Sequence, residues 1–566
     1  MLDRRRLSFA LGAVVVLAGI IIPASSLLDM LGRSGSAPAD LLHQGAVLLK
    51  AGIVVLGVFI AVLGAVPLEP TYTSHKVQPV ETAPRYVRLM MATILIGCTI
   101  LCFHRLSDGL WFDEIVTMVH YARLPFGQIV TTYDDPNQHI LYSLLAHGAF
   151  VILGESNWAL RLPAALFGIG SVWALFMVGR LVTSTREALL SSALLAFSYE
   201  LVWFSQNARG YTGLLFLTLL SSWLFLRGLR QARPHLWLGY AVTVAMGMYI
   251  HLTMLFVVIG HFIQYAVACY SHRETAWPQR WTVLLYGFGL GAVLTFLSYS
   301  LVLPQVLATF GSAKHIPEVW MRPSWSILEF ARGLRLSLFG GGVALAALLV
   351  FGAGLFSFMR TDIDLVELMV LPSILCAAVK VGTGQHLWPR SIFFAIGFMA
   401  LVVTRGTTVI GAAIYPAIYP KIAQAFRVER RRESGLGTAL WSLIFLASAL
   451  SVPRAYGPKQ DFAGAWAFVE AHKEPGDAVI TIGLAAIPYR VQYHSDAEEI
   501  KSVEALDAVR SRARRIWLLY TLKFQLADLA PELQRDIERD FVVEKKFPGT
   551  LGDGTIFVCR STIVSH

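Results

Sequence analysis

Two adjacent carboxylates, Asp113 and Glu114, stand in the stretch Trp111-Phe112-Asp113-Glu114, just after an apolar run from Tyr86 to Phe103. In a chain that is mostly membrane span, such a pair either faces water beyond the bilayer or sits in a solvated cavity, because an unpaired charge in lipid is costly. An acidic pair at a membrane surface can do chemistry on a substrate tethered to lipid.

The elements that must position this pair are membrane helices. Of the 566 residues, 55% are hydrophobic and only 15% are charged, far from the balance of a soluble domain. The mean hydropathy is +0.59. Apolar runs of about 18 residues or more, the length a helix needs to cross a bilayer, recur along the chain. They predict spans near 7–27, 41–66, 86–105, 160–180, 186–204, 211–229, 236–252, 253–270, 281–303, 337–358, 364–381, 389–408 and 437–452. The first follows Arg4-Arg5-Arg6 but has too long an apolar core and no small-residue cleavage site, so it reads as an anchor.

Lys and Arg concentrate in short cytoplasmic loops of membrane proteins. With the N-terminus inside, the loops bearing Lys76, Arg85 and Arg88, then Arg180 and Arg186, then Arg227, Arg230 and Arg233 are cytoplasmic. So are those with Arg273 and Arg280, with Arg360, and the run Arg427, Arg430, Arg431, Arg432. The alternation holds only if residues 139–155 do not cross; polar groups at 139, 143 and 147 on one face fit a helix lying in the interface. The net charge of +10 then reflects cytoplasmic anchoring, and no nucleic-acid-binding motif is present.

Polar groups gather on the opposite, outer side: Asp113, Glu114, Asp134, Asp135, Asn137, His139, Arg161, Gln206, Asn207, Arg209, His251, Lys314, His315, Arg322, His386 and Arg390. Trp111 and Trp388 suit an interfacial aromatic belt. From Asp461 onward the composition becomes charged, with a helix at 461–472, strands at 477–482, 515–520 and 555–559, and a helix at 524–539. About a hundred residues suffice for one small α/β domain. It carries no phosphate-binding glycine loop and reads as a cap over an acceptor site. Four of five cysteines fall in spans and Cys559 stands alone in the tail, so neither a disulfide framework nor a zinc site is expected.

Several stretches in order resemble the bacterial branch of the dolichyl-phosphate-mannose protein mannosyltransferase family (glycosyltransferase family 39, GT-C fold). They are Gly109-Leu110-Trp111-Phe112-Asp113-Glu114, Asn137-Gln138-His139-Ile140-Leu141-Tyr142, the stretch Ala159 to Gly168 containing Arg161, and Ser205-Gln206-Asn207-Ala208-Arg209-Gly210-Tyr211. Trp388-Pro389-Arg390 is a weaker match, and the resemblance spans roughly residues 90 to 400. Two departures stand out: Ile140 replaces a frequent proline, and Asn207 replaces a frequent glutamate.

The resemblance implies a polytopic α-helical, GT-C-like membrane protein with interfacial helices in its first outer loop and a small C-terminal α/β domain. Residues 1–85 form an added transmembrane hairpin, 86–452 the catalytic membrane domain and 453–566 the extracytoplasmic domain. It implies a bacterial inner-membrane enzyme with its N-terminus in the cytoplasm. That enzyme moves one sugar, with inversion, from a polyprenyl-phosphate carrier to a lipid, glycan or protein acceptor at the outer face. Asp113 is then the base that takes the acceptor hydroxyl's proton, and Glu114 orients the acceptor or holds a cation. The leaving phosphate needs cationic or hydrogen-bonding partners, supplied by Arg209, Arg390, His251 and His139. Asn137, Arg161 and Tyr211 join them as substrate-binding candidates. At most one divalent ion is expected, on Asp113 and Glu114. The competing class is a transporter or flippase of a lipid-linked sugar, whose polar residues would line a path through the spans.

Overall fold

The computed structural model describes residues 4–32, 38–66, 83–231, 233–271, 280–311, 317–338, 341–426 and 434–562. Lys76, Arg273, Lys314, His315 and the basic run from Arg427 to Arg432 lie outside them. The chain is a multi-pass helical membrane protein with a C-terminal sheet domain. Among the described residues, eight continuous helices are long and apolar enough to cross a bilayer. Three helix pairs are long and apolar enough only when taken together and are bent between their halves: Arg4–Ile21 with Ala24–Met30 at 92°, Thr185–Ala196 with Tyr199–Ser205 at 57°, and Val283–Tyr299 with Leu303–Gly311 at 83°. The remaining expected spans are the helices Pro234–Ile250 and Met254–Ser271.

The bends correct the uniform spans expected from hydropathy. The first turns aside at Pro23, which caps the following helix and cannot donate a backbone hydrogen bond. The second breaks at Phe197-Ser198, where the Ser198 hydroxyl accepts from Leu201 N–H and starts a new helix. The helix Ile140–Leu153 has 14 residues. At 1.5 Å per residue it reaches about 21 Å, short of a ~30 Å hydrocarbon core.

Arg4–Ile21 and Ala39–Ala65 pack as a hairpin on a glycine seam: a Cβ at Gly57 would stand 2.7 Å from the Gly12 carbonyl. Small residues let helices approach closely where lipid supplies no hydrophobic drive. Large apolar side chains such as Leu11, Val58, Ile96, Ile100 and Leu349 point outward, as lipid contact requires. At the centre stand Asn157–Val182, Tyr211–Gln231 and Pro389–Ile414, the most deeply packed spans. Each begins at the same end of the bundle, where Tyr211 and Arg390 sit in the first turns of their helices and Arg161 in the second turn of its own.

The C-terminal region is a five-stranded mixed sheet: β1 (Asp477–Ile482), β2 (Glu498–Ile500), β3 (Arg515–Tyr520), β4 (Phe541–Phe547) and β5 (Ile556–Ser561), in the order β2-β1-β3-β5-β4. β1 runs parallel to β2 and β3, while β5 runs antiparallel to β3 and β4. Alternation sends Ile480, Leu518 and Cys559 to one face, against Leu506 and Ile537. Val479, Trp517, Leu519 and Val558 face the other, against Phe462 and Tyr489. The expected helix at 524–539 is two helices, Lys523–Leu529 and Pro531–Asp540, broken because Pro531 starts the second.

This domain is bolted to the membrane bundle. Tyr456 OH donates to Leu101 O at 3.0 Å, and Trp203 Nε1 donates to Thr550 Oγ1 at 2.8 Å.

Candidate active site

A short helix, Phe112–Thr117, presents the carboxylate pair. Successive helical residues diverge by about 100°, so Asp113 and Glu114 meet different partners. Glu114 is fully enclosed. Its Oε1 accepts from Arg161 Nε at 2.7 Å and from Ala208 N–H at 2.8 Å. Its Oε2 accepts from Arg161 Nη2 at 2.6 Å and from Trp111 N–H at 3.3 Å. Arg161 spends its other donors on the Leu106, Asp108 and Gly109 carbonyls, at 3.0, 2.8 and 2.9 Å. Burial pushes the Glu114 carboxyl up, but Arg161, Lys459 and the Ala208 N–H outweigh it and hold the group below its ordinary range. The expected roles of Glu114 toward acceptor or cation and of Arg161 toward substrate are therefore corrected. Both are saturated by each other and by backbone, and they fix the loop that carries Asp113.

Asp113 faces cations instead. Arg209 Nη1 lies 3.3 Å and Arg390 Nη1 3.4 Å from the same oxygen, Oδ2. Arg209 is 3% exposed, and its Nε is buried without a hydrogen-bond partner among the described residues. Asn137 aims it: the Asn137 Oδ1 accepts from Arg209 Nη1 at 2.9 Å, while Asp135 Oδ1 accepts from Asn137 N–H at 2.7 Å. Asn137 thus acts through Arg209.

Beside Arg209 three rings assemble. His139 and His251 stand 4.8 Å apart, and Tyr211 packs 5.7 Å from His139 and 5.5 Å from His251. The guanidinium of Arg209 lies 5.7 Å over the Tyr211 ring. His139 Nδ1 is 2.9 Å from the Ile250 carbonyl, which fixes the proton on Nδ1 and leaves Nε2 as a buried acceptor with no partner among the described residues. His251 Nδ1 accepts from Thr253 N–H at 3.1 Å. Burial first, then the positive charge of Arg209, holds His139 far below its ordinary range and His251 down to about 3, so both rings are neutral at pH 7. Gly210 makes this contact possible, since a Cβ there would stand 2.9 Å from His139 Nδ1 and 2.7 Å from the Ile250 carbonyl.

Asn207, in place of the glutamate, accepts from Trp111 Nε1 at 3.2 Å and braces the Asp113 loop. Among the described residues no three His, Cys, Asp or Glu side chains gather as metal ligands. With both Glu114 oxygens bound to Arg161 and two guanidiniums at Asp113 Oδ2, the pair does not fit a divalent cation.

Lys459 and Gln460 escaped the sequence reading. Lys459 Nζ donates to the Gln206 carbonyl at 2.7 Å and lies 4.9 Å over Trp203, clamping the turn that bears Arg209. Gln460 Oε1 accepts from Phe112 N–H at 3.1 Å, at the start of the Asp113 helix, and its Nε2 donates to Thr521 at 3.2 Å. Burial, reinforced by Arg161 and opposed by Glu114, pushes the Lys459 ammonium down to about 7. A lysine two residues before an amphipathic helix gives no sequence signal of this.

Several comparisons with known proteins bear on the chain. No curated protein matches it. In fold comparison, ArnT from Cupriavidus metallidurans in the apo state aligns at 14% identity over 84% of this chain and 97% of that one, with a TM-score of 0.48. The same protein bound to undecaprenyl phosphate gives 14% identity over 85% and 98%, with a TM-score of 0.45. The Archaeoglobus fulgidus oligosaccharyltransferase tethered to an acceptor peptide gives 10% over 83% and 74%, with a TM-score of 0.45. A family model does match directly in sequence over residues 135–299, which hold Asn137, His139, Arg161, Arg209, Tyr211 and His251 while leaving Asp113 and Arg390 to either side. That central segment is thus similar to the dolichyl-phosphate-mannose-protein mannosyltransferase family.

Proposed function

We propose that this chain is a membrane glycosyltransferase, of the GT-C type its sequence resembles. It moves one sugar from a polyprenyl-phosphate carrier to an acceptor hydroxyl, with inversion. The observation that carries the reading is the single carboxylate, Asp113, set against two arginines at 3.3 and 3.4 Å. A carboxylate takes the attacking hydroxyl's proton, a contribution of typically 10²–10⁴-fold. Arg209 and Arg390 meet the phosphate oxygens as the bond to the anomeric carbon breaks, where planar guanidinium donors suit the growing charge. The neutral His139 and His251 add hydrogen bonding without repelling either partner. Three central helices start at this end of the bundle, and their N-terminal dipoles favour the same anion.

The basic loops support a reading in which this end lies on the outer face of the inner membrane, with the N-terminus in the cytoplasm and the sheet domain outside. The acceptor is then a lipid, glycan or protein of the cell envelope. The phosphate is handled by arginine and histidine, without a divalent ion. A flippase would need polar groups distributed through the spans, whereas these converge at one end.

Reconstituted protein given radiolabelled polyprenyl-phosphate sugars and envelope membranes tests this reading. Label should pass to an acceptor without any nucleotide sugar. Movement of the carrier across the bilayer with no transfer would support the flippase instead.

A further inference from the structure

Three tryptophans assemble outside the machinery described above. Trp320 lies 6.3 Å from Trp325 and 5.6 Å from Trp388, and Trp325 lies 4.8 Å from Trp388. The His386 ring joins at 6.4 Å from Trp320 and 5.8 Å from Trp388. An interfacial belt, the sequence expectation for Trp388, turns indole N–H groups toward headgroups and water. Trp320 and Trp388 do the reverse: each is 7% exposed, with Nε1 buried and without a hydrogen-bond partner among the described residues. His386 Nδ1 is likewise buried and has no partner among the described residues.

The C-terminal domain adds a carboxylate to the same place. Asp553, in the left-handed region at φ 58°, sits in the turn before β5. Burial pushes its carboxyl up to about 6 although the Trp320 N–H lies close enough to oppose the shift, and Oδ2 is buried with no hydrogen bond closed on it among the described residues. Buried polar atoms in folded proteins are nearly always hydrogen-bonded. Two indole donors, an imidazole nitrogen and a carboxylate oxygen left open in one cluster therefore call for a polyhydroxylated partner. A lipid tail would leave all four unmet.

The cluster adjoins the proposed reaction centre. Arg390 lies 4.8 Å over the Trp388 ring while its Nη1 reaches Asp113 Oδ2 at 3.4 Å. One side chain thus spans from the aromatic group to the base.

We infer that Trp320, Trp325, Trp388, His386 and Asp553 form a saccharide subsite, an inference that rests on the glycosyltransferase reading and names where a sugar ring is held. The half-buried Trp325 ring takes the apolar C–H face of a pyranose or furanose, as aromatic surfaces with a few convergent polar groups do in ligand sites. Sugar hydroxyls donate to Asp553 Oδ2 and accept from the Trp320 and Trp388 N–H groups. The ring comes from the donor or from a glycan acceptor, and the chemistry of recognition is the same for both.

The experiment uses the full-length protein in detergent with three probes. These are bare undecaprenyl phosphate, undecaprenyl phosphate bearing mannose or glucose, and the methyl pyranosides of mannose, glucose, galactose and glucosamine. Affinities are compared for wild type, Trp325→Ala, Trp325→Phe and Asp553→Asn, with thermal unfolding confirming that each variant folds. The account expects Trp325→Ala and Asp553→Asn to weaken a sugar-bearing probe at least tenfold, Trp325→Phe to retain most of the affinity, and bare undecaprenyl phosphate to bind as in wild type. Loss confined to the lipid-linked sugar assigns the ring to the donor, and loss of a free pyranoside assigns it to the acceptor. Two results overturn the subsite: no sugar probe responds to either substitution, or bare undecaprenyl phosphate weakens equally. Failure of bare undecaprenyl phosphate to bind wild type would instead count against the glycosyltransferase reading itself.

Discussion

Arg161 grips both oxygens of Glu114, at 2.7 and 2.6 Å, in a fully buried pair one residue along from Asp113, the proposed base. Neighbours in sequence have parted company: Asp113 faces Arg209 and Arg390, and Glu114 holds the loop. Removing one partner of such a pair strands a buried charge, at a cost of about 3–5 kcal/mol. Arg161→Met should therefore lower the unfolding temperature sharply, and Arg161→Met with Glu114→Leu should recover part of the loss. Equal melting of Arg161→Met and wild type in detergent would contradict this assignment.

Lys459 gives a pH signature. Its folded value is lowered by burial to about 7, from an ordinary 10.5. Below about pH 7 it is charged in both the folded and unfolded states. Between about 7 and 10.5 the unfolded chain binds a proton that the folded chain does not, so its contribution to stability rises with pH across that window. The melting temperature of wild type relative to Lys459→Met should thus shift in favour of wild type between pH 7 and 9. A constant difference across that range would rule out a buried, titrating lysine.

Arg390 should act mainly on the carrier phosphate. A hydrogen bond to a charged group contributes roughly 1.5–3 kcal/mol. Arg390→Ala should accordingly weaken undecaprenyl phosphate binding by about tenfold or more in titration calorimetry. Added salt should narrow the gap, because Arg390 is partly exposed. An unchanged affinity would remove Arg390 from the phosphate site.

Chelation separates arginine from metal chemistry. The donor set around Asp113 does not suit a divalent ion, so prolonged EDTA treatment should leave transfer unchanged. Activity lost to EDTA and restored by added divalent ion would reassign the site.

The spacing of Asp113, Asn137, His139 and Arg209 was legible because each lies beside the end of an apolar run, where polar residues stand out. Strands β1 and β3 were legible for a related reason, as apolar runs bounded by turns. β4 was not: Glu544, Lys545 and Lys546 on an exposed edge erase the alternation that marks a strand. The bends at Pro23 and Ser198 were hidden because hydropathy measures length and not direction. The Glu114–Arg161 pair joins residues 47 apart and the Lys459–Gln206 contact residues 253 apart, so neither leaves a local pattern. Asp553 and the tryptophan cluster are hidden likewise, being brought together only by the docking of the sheet domain.

The most direct measurement compares Asp113→Asn with wild type in two assays on the same purified protein. Transfer from the lipid-linked sugar should fall by about 10²–10⁴-fold, the range of a lost general base. Undecaprenyl phosphate should bind no more weakly than to wild type, since Arg209 and Arg390 lose a competing carboxylate. Transfer at the wild-type rate by Asp113→Asn would contradict the account.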